Sequence, residues 1–373
     1  MAHESIPLSF DEVTRRVNPD PPDTYTPPQH PPGSRWERTF YWGRRIGQDC
    51  HDRGWSSVQS ALMFLDEPQD RPFCLYLPLT FPHPPYEVEE PYFSMHDLAS
   101  IPEPIPVEHE GKRQYMPVLR AAYGVDGLGV DDLKEIKRLY YGMTSRTDHQ
   151  LGLLMDKLRE RGLYENTISG AVLRPWRDYT GDYGMVEKFL AGFEDCLLNV
   201  PLILSGPGID SDVVRSCLCR MTDLYPTLLE LAGLESQTYH FGRSLCPAIG
   251  GKVTSHRDAV FAEGGLHDDE REQANVILPE DSPYQPGSEA AQKNPGISRR
   301  AMMVRTDRWK YVYSPGERDE LIDLASDPRE IVNLADDPEH AGIVAGMRER
   351  LLRWVLQTSD VLPARRDPRE WEP

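Results

Sequence analysis

Two short stretches of this 373-residue chain carry side chains able to hold an oxyanion. His83 stands in Pro82-His83-Pro84-Pro85-Tyr86, and Lys188 follows Asp178-Tyr179-Thr180-Gly181-Asp182-Tyr183-Gly184. An imidazole donor and a fixed ammonium are suited to neutralising sulfate or phosphate oxygens. Taken singly, each has a plainer reading. Prolines on both sides make His83 a turn histidine, and a glycine-containing cluster of charges is by default a solvated loop.

The elements that must hold these residues follow from periodicity. Phe73-Cys74-Leu75-Tyr76-Leu77, within 72–81, reads as a buried strand whose carboxyl end delivers the His83 turn, where open α/β sheets bind ligands. Before it, Val58, Ala61, Leu62 and Leu65 recur at helical spacing. The best helical pattern covers 131–161, with Leu133, Ile136, Tyr140, Met143, Thr147, Leu151, Leu154 and Leu158 on one stripe. Asp131 is its expected N-cap and Gly162 its stop. A strand should start at Thr167, but Ser169-Gly170 and Arg174-Pro175 make a poor one. Val200-Pro201-Leu202-Ile203-Leu204 reads as a further short buried strand, and Thr222 as the cap of a helix through Leu231 that closes at Gly233. From Asp258 the style changes: 259–263, 301–306, 309–313 and 320–324 read as an antiparallel sheet, and 268–294 as a polar loop excursion. Asp337-Pro338 opens a helix with Ile343, Met347, Leu351 and Val355 on one face.

Composition bounds the function classes. A net charge of −19 disfavours non-specific binding to nucleic acid or an anionic membrane, so neither is an expected partner. It leaves room for a small anionic substrate inside a locally basic cleft. Residues 1–50 are proline-rich and aperiodic. Cys50, Cys74, Cys196, Cys217, Cys219 and Cys246 lack the density of a disulfide scaffold, and Cys217-x-Cys219 is too short for half a zinc site. With no signal peptide and no apolar run of about 20 residues, the expected location is cytoplasmic. The sequence says nothing of oligomeric state.

The combination and order of the stretches resemble the sulfatases of the alkaline-phosphatase-like superfamily over nearly the whole chain. Phe81-Pro82-His83-Pro84-Pro85-Tyr86 resembles their Asp-Pro-His-x-Pro-Tyr turn, and Gly181-Asp182-Tyr183-Gly184 with Lys188 their lysine loop. Tyr140 through Leu158-Arg159-Glu160-Arg161-Gly162 and on to Thr167 is similar to the family helix that precedes the metal-binding strand. Asp223-Leu224-Tyr225-Pro226-Thr227-Leu228-Leu229 is similar to its Asp-x-x-Pro-Thr-Leu-Leu helix. Thr306-Asp307-Arg308-Trp309-Lys310-Tyr311, Glu320-Leu321-Ile322-Asp323-Leu324, Asp327-Pro328 and Asn333-Leu334 resemble the small C-terminal domain.

The resemblance implies an α/β alkaline-phosphatase-like sandwich with a central mixed sheet, incomplete at the N-terminus, plus a small C-terminal α+β domain with an antiparallel sheet. The expected domains are 1–257, a partial catalytic domain, and 258–373. It implies a hydrolase of sulfate monoesters that uses a divalent cation, usually calcium, and a formylglycine made from cysteine or serine. His83 and Lys188 fall on the positions that contact the sulfate.

The chain departs from that pattern twice. The family's leading segment, with two aspartate ligands and a Cys/Ser-x-Pro-x-Arg nucleophile motif, has no counterpart, and Ser5-Ile6-Pro7-Leu8-Ser9 lacks the arginine. The Asp-His-Gly before Asp178 is replaced by Arg174-Pro175-Trp176-Arg177. The expectation is therefore no catalytic nucleophile, no formylglycine, no calcium bound by this chain, and no normal turnover. Leu173-Arg174-Pro175-Trp176-Arg177 can be encoded by CTG CGA CCA TGG CGN, which one nucleotide later reads Cys-Asp-His-Gly. The expectation for the second departure is a local frame error, in the gene or its prediction, inside an ordinary sulfatase. Two other readings stay open: a phosphate or phosphonate ester hydrolase of the same superfamily, and a non-catalytic binding protein that retains the fold.

Overall fold

The computed structural model describes residues 30–31, 33–46, 52–107, 111–172, 178–236, 238–267, 270, 278 and 282–359. The near-miss at 5–9 and the segment 173–177 lie outside them. The chain divides into two compact units, Met1–Pro104 with Gly124–Thr167, and Ile105–Tyr123 with Ile168–Pro373. The sequence boundary at 257/258 falls inside the second.

In the first unit, strand β1 (Tyr41–Arg44) pairs in parallel with β2 (Tyr86–Val88). Two helices supply its core. Arg53–Asp66 is capped by Asp52, whose carboxylate accepts the Trp55 N–H at 3.0 Å. Val130–Glu160 buries the expected stripe, from Leu133 and Ile136 to Leu154 and Leu158. Its cap is Gly129, not Asp131. The Asp132 carboxylate reaches back to the Gly129 N–H at 3.2 Å, which satisfies an end donor that Asp131, one residue into the helix, cannot serve. Gly162 closes it with φ +66°. Gly142 is required by close packing, because a Cβ there would lie 2.5 Å from the Tyr92 carbonyl oxygen.

The expected strand at 72–81 is not one. The segment has no ladder partner among the described residues. Phe73 and Leu77 pack on Ala61, Leu65, Leu154 and Leu158, while Tyr76 stays 68% exposed. An apolar run records a need for burial, but a strand also needs a neighbour to take its hydrogen bonds.

In the second unit, β3 (Ser169–Val172) forms despite its poor pattern and pairs antiparallel with β4 (Leu202–Ser205). The ladder needs only backbone groups, which Ser169 and Gly170 supply as well as any residue. β4 confirms a strand near 200–204, but not a buried one: Ile203 is 63% exposed. The expected central layer is thus represented, among the described residues, by two-stranded pairs. The C-terminal sheet is complete and antiparallel, in the order β5 (Val260–Gly264), β6 (Ala301–Arg305), β7 (Trp309–Tyr313), β8 (Glu320–Asp323). Its register puts Val304, Tyr311 and Leu321 on one face, against Val344, Met347 and Leu351 of the helix Ala341–Thr358. Met303, Arg305, Lys310, Val312 and Glu320 point to the other.

Two further expectations are corrected here. The helix Leu224–Leu231 has Asp223, not Thr222, at its N-cap position; the Asp223 carboxylate makes no bond to the helix and instead accepts the Arg220 N–H at 2.9 Å and the Arg243 N–H at 2.8 Å. The stretch expected as loop contains the helix Gln285–Lys293. Its Glu289–Lys293 pair at helical spacing is the signal that the polar composition masked.

Candidate functional site

His83 sits at an exposed corner between buried Pro82 and Pro84, and its N–H donates to the Thr80 carbonyl at 3.0 Å. Its ring Nδ1 lies 2.7 Å from the Pro84 carbonyl oxygen. A carbonyl only accepts, so Nδ1 carries the hydrogen. In that tautomer Nε2 of the neutral ring is an acceptor, and it becomes a donor to an oxyanion only in the imidazolium form.

The preceding Phe81 ring is clamped by two arginines, with the Arg146 guanidinium 4.2 Å and the Arg45 guanidinium 5.6 Å from its centroid. Arg146 is fully buried on the long helix and binds Asp52 and Glu89. Arg45, at the end of β1, binds Asp52 at 2.8 Å and Glu87 at 2.7 Å. Burial raises the Asp52 carboxyl, but Arg146, Arg45 and the helix N–H together hold it below the usual range.

Lys188 belongs to the second unit and ends a tight turn. Tyr179 N–H donates to the Glu187 carbonyl at 3.2 Å, and Gly181 N–H to the Met185 carbonyl at 2.8 Å. Asp182 accepts the Ile105 N–H at 2.8 Å, and the Tyr183 N–H returns to the Ile105 carbonyl at 2.8 Å. Gly184 has φ +65°, and a Cβ there would meet Val107 at 2.5 Å, so glycine is required twice over. The Lys188 ammonium and backbone N–H both bind the Glu187 carboxylate. Glu187 is buried, and burial raises its carboxyl against the pull of Lys188. Lys188 keeps 24% of its side chain open. Tyr123 and Tyr284 are close enough that Glu187 and Asp178, after burial itself, push their phenols up.

Behind the turn lies a buried ionic layer that sequence reasoning missed. Glu194 accepts from Tyr115 and Tyr179 hydroxyls, each at 2.7 Å, and from Phe193 N–H at 3.1 Å. Lys112 bridges Glu194 at 3.3 Å and Glu320 at 3.4 Å. Lys310 binds the Phe193 carbonyl at 3.0 Å together with Asp195 and Glu330, and Arg305 reaches Asp195 at 2.9 Å. Of these, Arg305, Lys310 and Glu320 stand on the second face of the C-terminal sheet. Burial alone raises the Glu194 carboxyl, but Lys112, Arg113 and the two hydroxyls bring it down to about 2. Nothing in the local sequence flags Glu194, because its partners stand far from it in the chain. The one available signal was the alternation that places Lys310 and Glu320 at inward positions.

Among the described residues no three His, Cys, Asp or Glu side chains converge, and the Asp178 carboxylate is engaged by the Thr180 N–H at 3.3 Å. Likewise, no described helix is long and apolar enough to cross a membrane.

The sulfatase family profile matches residues 14–168. Over 323 residues the chain is 25% identical to the multifunctional alkaline phosphatase superfamily protein PehA of Trinickia caryophylli, covering 81% of this chain and 59% of that protein. Choline-sulfatase of Rhizobium meliloti (strain 1021) is 24% identical over 317 residues, 82% of this chain and 55% of that one. The crystal structure of the phosphonate monoester hydrolase of Agrobacterium radiobacter superposes with TM-score 0.64 at 26% identity, covering 83% of this chain and 64% of that chain. The chain thus spans a little over half the length of these curated relatives. Its fold is alkaline-phosphatase-like, and over residues 14–168 the chain is similar to the sulfatase family.

Proposed function

We propose that this chain carries the oxyanion-binding side of a sulfate monoester hydrolase. Lys188, in the second unit, supplies a fixed ammonium to sulfate oxygens; His83, in the first unit, is proposed separately as an oxyanion donor through its imidazolium N–H. The observation that carries the reading is the state of Lys188: its ammonium is partly open and held by a carboxylate that burial makes a reluctant anion. An arriving sulfate, bringing charge that Glu187 holds at a cost, can take over the ammonium. Binding of an anion by a chain of net charge −19 requires such a local reversal of field.

Turnover is a separate matter. With no Cys/Ser-x-Pro-x-Arg motif, and with Arg174-Pro175-Trp176 where Asp-His-Gly would supply ligands, the chain as it stands binds sulfate esters without cleaving them. Free thiols at Cys74, Cys196, Cys217, Cys219 and Cys246 support a reducing, cytoplasmic compartment.

Calorimetric titration with inorganic sulfate and with 4-nitrophenyl sulfate tests the reading. Lys188→Ala should weaken both by about tenfold or more, the cost of a lost charge-assisted hydrogen bond. Equal affinity in that variant would remove Lys188 from the site. A phosphonate or phosphate monoester is the second reading, favoured by the likeness to the phosphonate monoester hydrolase and to PehA. It wins if phenyl phosphonate binds more tightly than phenyl sulfate at equal charge.

A further inference from the structure

We infer that Tyr179 is a positioning residue: its hydroxyl, anchored on Glu194, sets the turn that presents Lys188. This rests on the reading of Lys188 as an oxyanion donor. Tyr179 has no exposed surface and touches the turn and its support at opposite ends. Its backbone N–H closes the turn on the Glu187 carbonyl at 3.2 Å, one residue before Lys188. Its hydroxyl reaches the Glu194 carboxylate at 2.7 Å, with the Tyr115 hydroxyl 2.7 Å away. The space beside that hydroxyl is closed as well, since a Cβ on Gly192 would stand 2.9 Å from it. Glu194 in turn cannot drift, because Lys112 ties it to Glu320 on β8 and Phe193 N–H fixes the same carboxylate. A continuous chain of bonds therefore runs from the C-terminal sheet through Glu194 and Tyr179 to the peptide bond that precedes Lys188.

Tyr115 supplies the internal control. It binds the same Glu194 oxygen at the same 2.7 Å, yet its backbone belongs to the helix Tyr115–Tyr123 and not to the turn. Deleting either hydroxyl removes one hydrogen bond from Glu194. Only the Tyr179 deletion releases the turn.

The experiment compares Tyr179→Phe with Tyr115→Phe in the full chain. It reads hydrogen exchange at the Tyr179 and Gly181 amides and the dissociation constant for inorganic sulfate. Tyr179→Phe should speed exchange at both amides by about tenfold and weaken sulfate by a similar factor. Tyr115→Phe should leave both within about twofold, although the melting temperature falls comparably in the two. Equal effects of the two variants would reduce Tyr179 to a stabilising residue, and unchanged exchange in Tyr179→Phe would overturn the inference outright. Should Tyr179→Phe not fold, Glu194→Gln gives the same readout with the hydroxyl retained: faster exchange at the two amides is expected, and none sinks the idea. If the unmodified chain binds no sulfate, the Lys188 reading fails, while the exchange data still decide the role of Tyr179.

Discussion

The turn that carries His83 is shaped by its own prolines, whereas the turn that carries Lys188 is held by groups gathered from across the second unit. Pro82, Pro84 and Pro85 remove backbone freedom around His83 before any tertiary contact forms, and the ring then bonds to its own neighbour's carbonyl. The 178–188 turn has the opposite economy. Thr180, Gly181, Tyr183, Gly184 and Glu187 all have positive φ, five positions that the free chain would seldom adopt together. Ile105, Arg329 and Glu194 compensate through hydrogen bonds to Asp182, Tyr183 and Tyr179. A locally determined turn should tolerate change, and a tertiary one should not.

The largest expected effect is at Glu194. Glu194→Ala leaves Lys112 buried with half its counter-charge, and should cost about 3–5 kcal/mol in urea unfolding. A loss under about 1 kcal/mol would mean the ionic layer does not support the turn. The same carboxylate gives a pH signature. Its folded value of about 2 lies below the ordinary 4.5, so its contribution is complete above 4.5 and is lost as pH falls toward 2. Glu194→Gln should flatten that part of the stability profile.

Gly184→Ala comes next. A side chain at φ +65° that also meets Val107 should cost about 1–3 kcal/mol and should broaden the resonances of the turn. In the His83 turn, Pro84→Ala should cost only about 0.4–1 kcal/mol, mostly through the unfolded chain. A larger loss there would erase the contrast between the two turns. His83→Ala is the smallest in stability, within about 0.5 kcal/mol. It should nonetheless remove a pH dependence from sulfate binding. With Nδ1 committed to Pro84, Nε2 donates only when the ring is protonated, so affinity falls as the ring loses its proton. A wild-type affinity that does not change between about pH 5 and 8 would exclude His83 as donor.

Much of the architecture was legible because it is written in local repetition. The stripe from Leu133 to Leu158 and the alternation in 301–324 each record a burial face, and both were realised. Leu75 and Tyr76 show the limit of that signal: five apolar residues promise a strand but do not name its partner, and here none of the described strands serves. Asp223 shows the same limit for polar groups. Its neighbours His256 and Arg257 on its carboxylate are more than thirty residues away, so an aspartate that gathers distant cations reads as an ordinary helix residue.

By itself the sequence determined which residues could meet an oxyanion, the order of the motifs, and the geometry of the proline turn, since all three depend on residue type and near neighbours. Only the tertiary structure decided that Lys188 is held by Glu187, that Tyr179 hangs on Glu194, and that one face of the C-terminal sheet is ionic. Those facts depend on groups such as Lys112, Glu320 and Lys310 meeting out of water, where a charge is stable only beside its partner, and chain order does not record which partner that is.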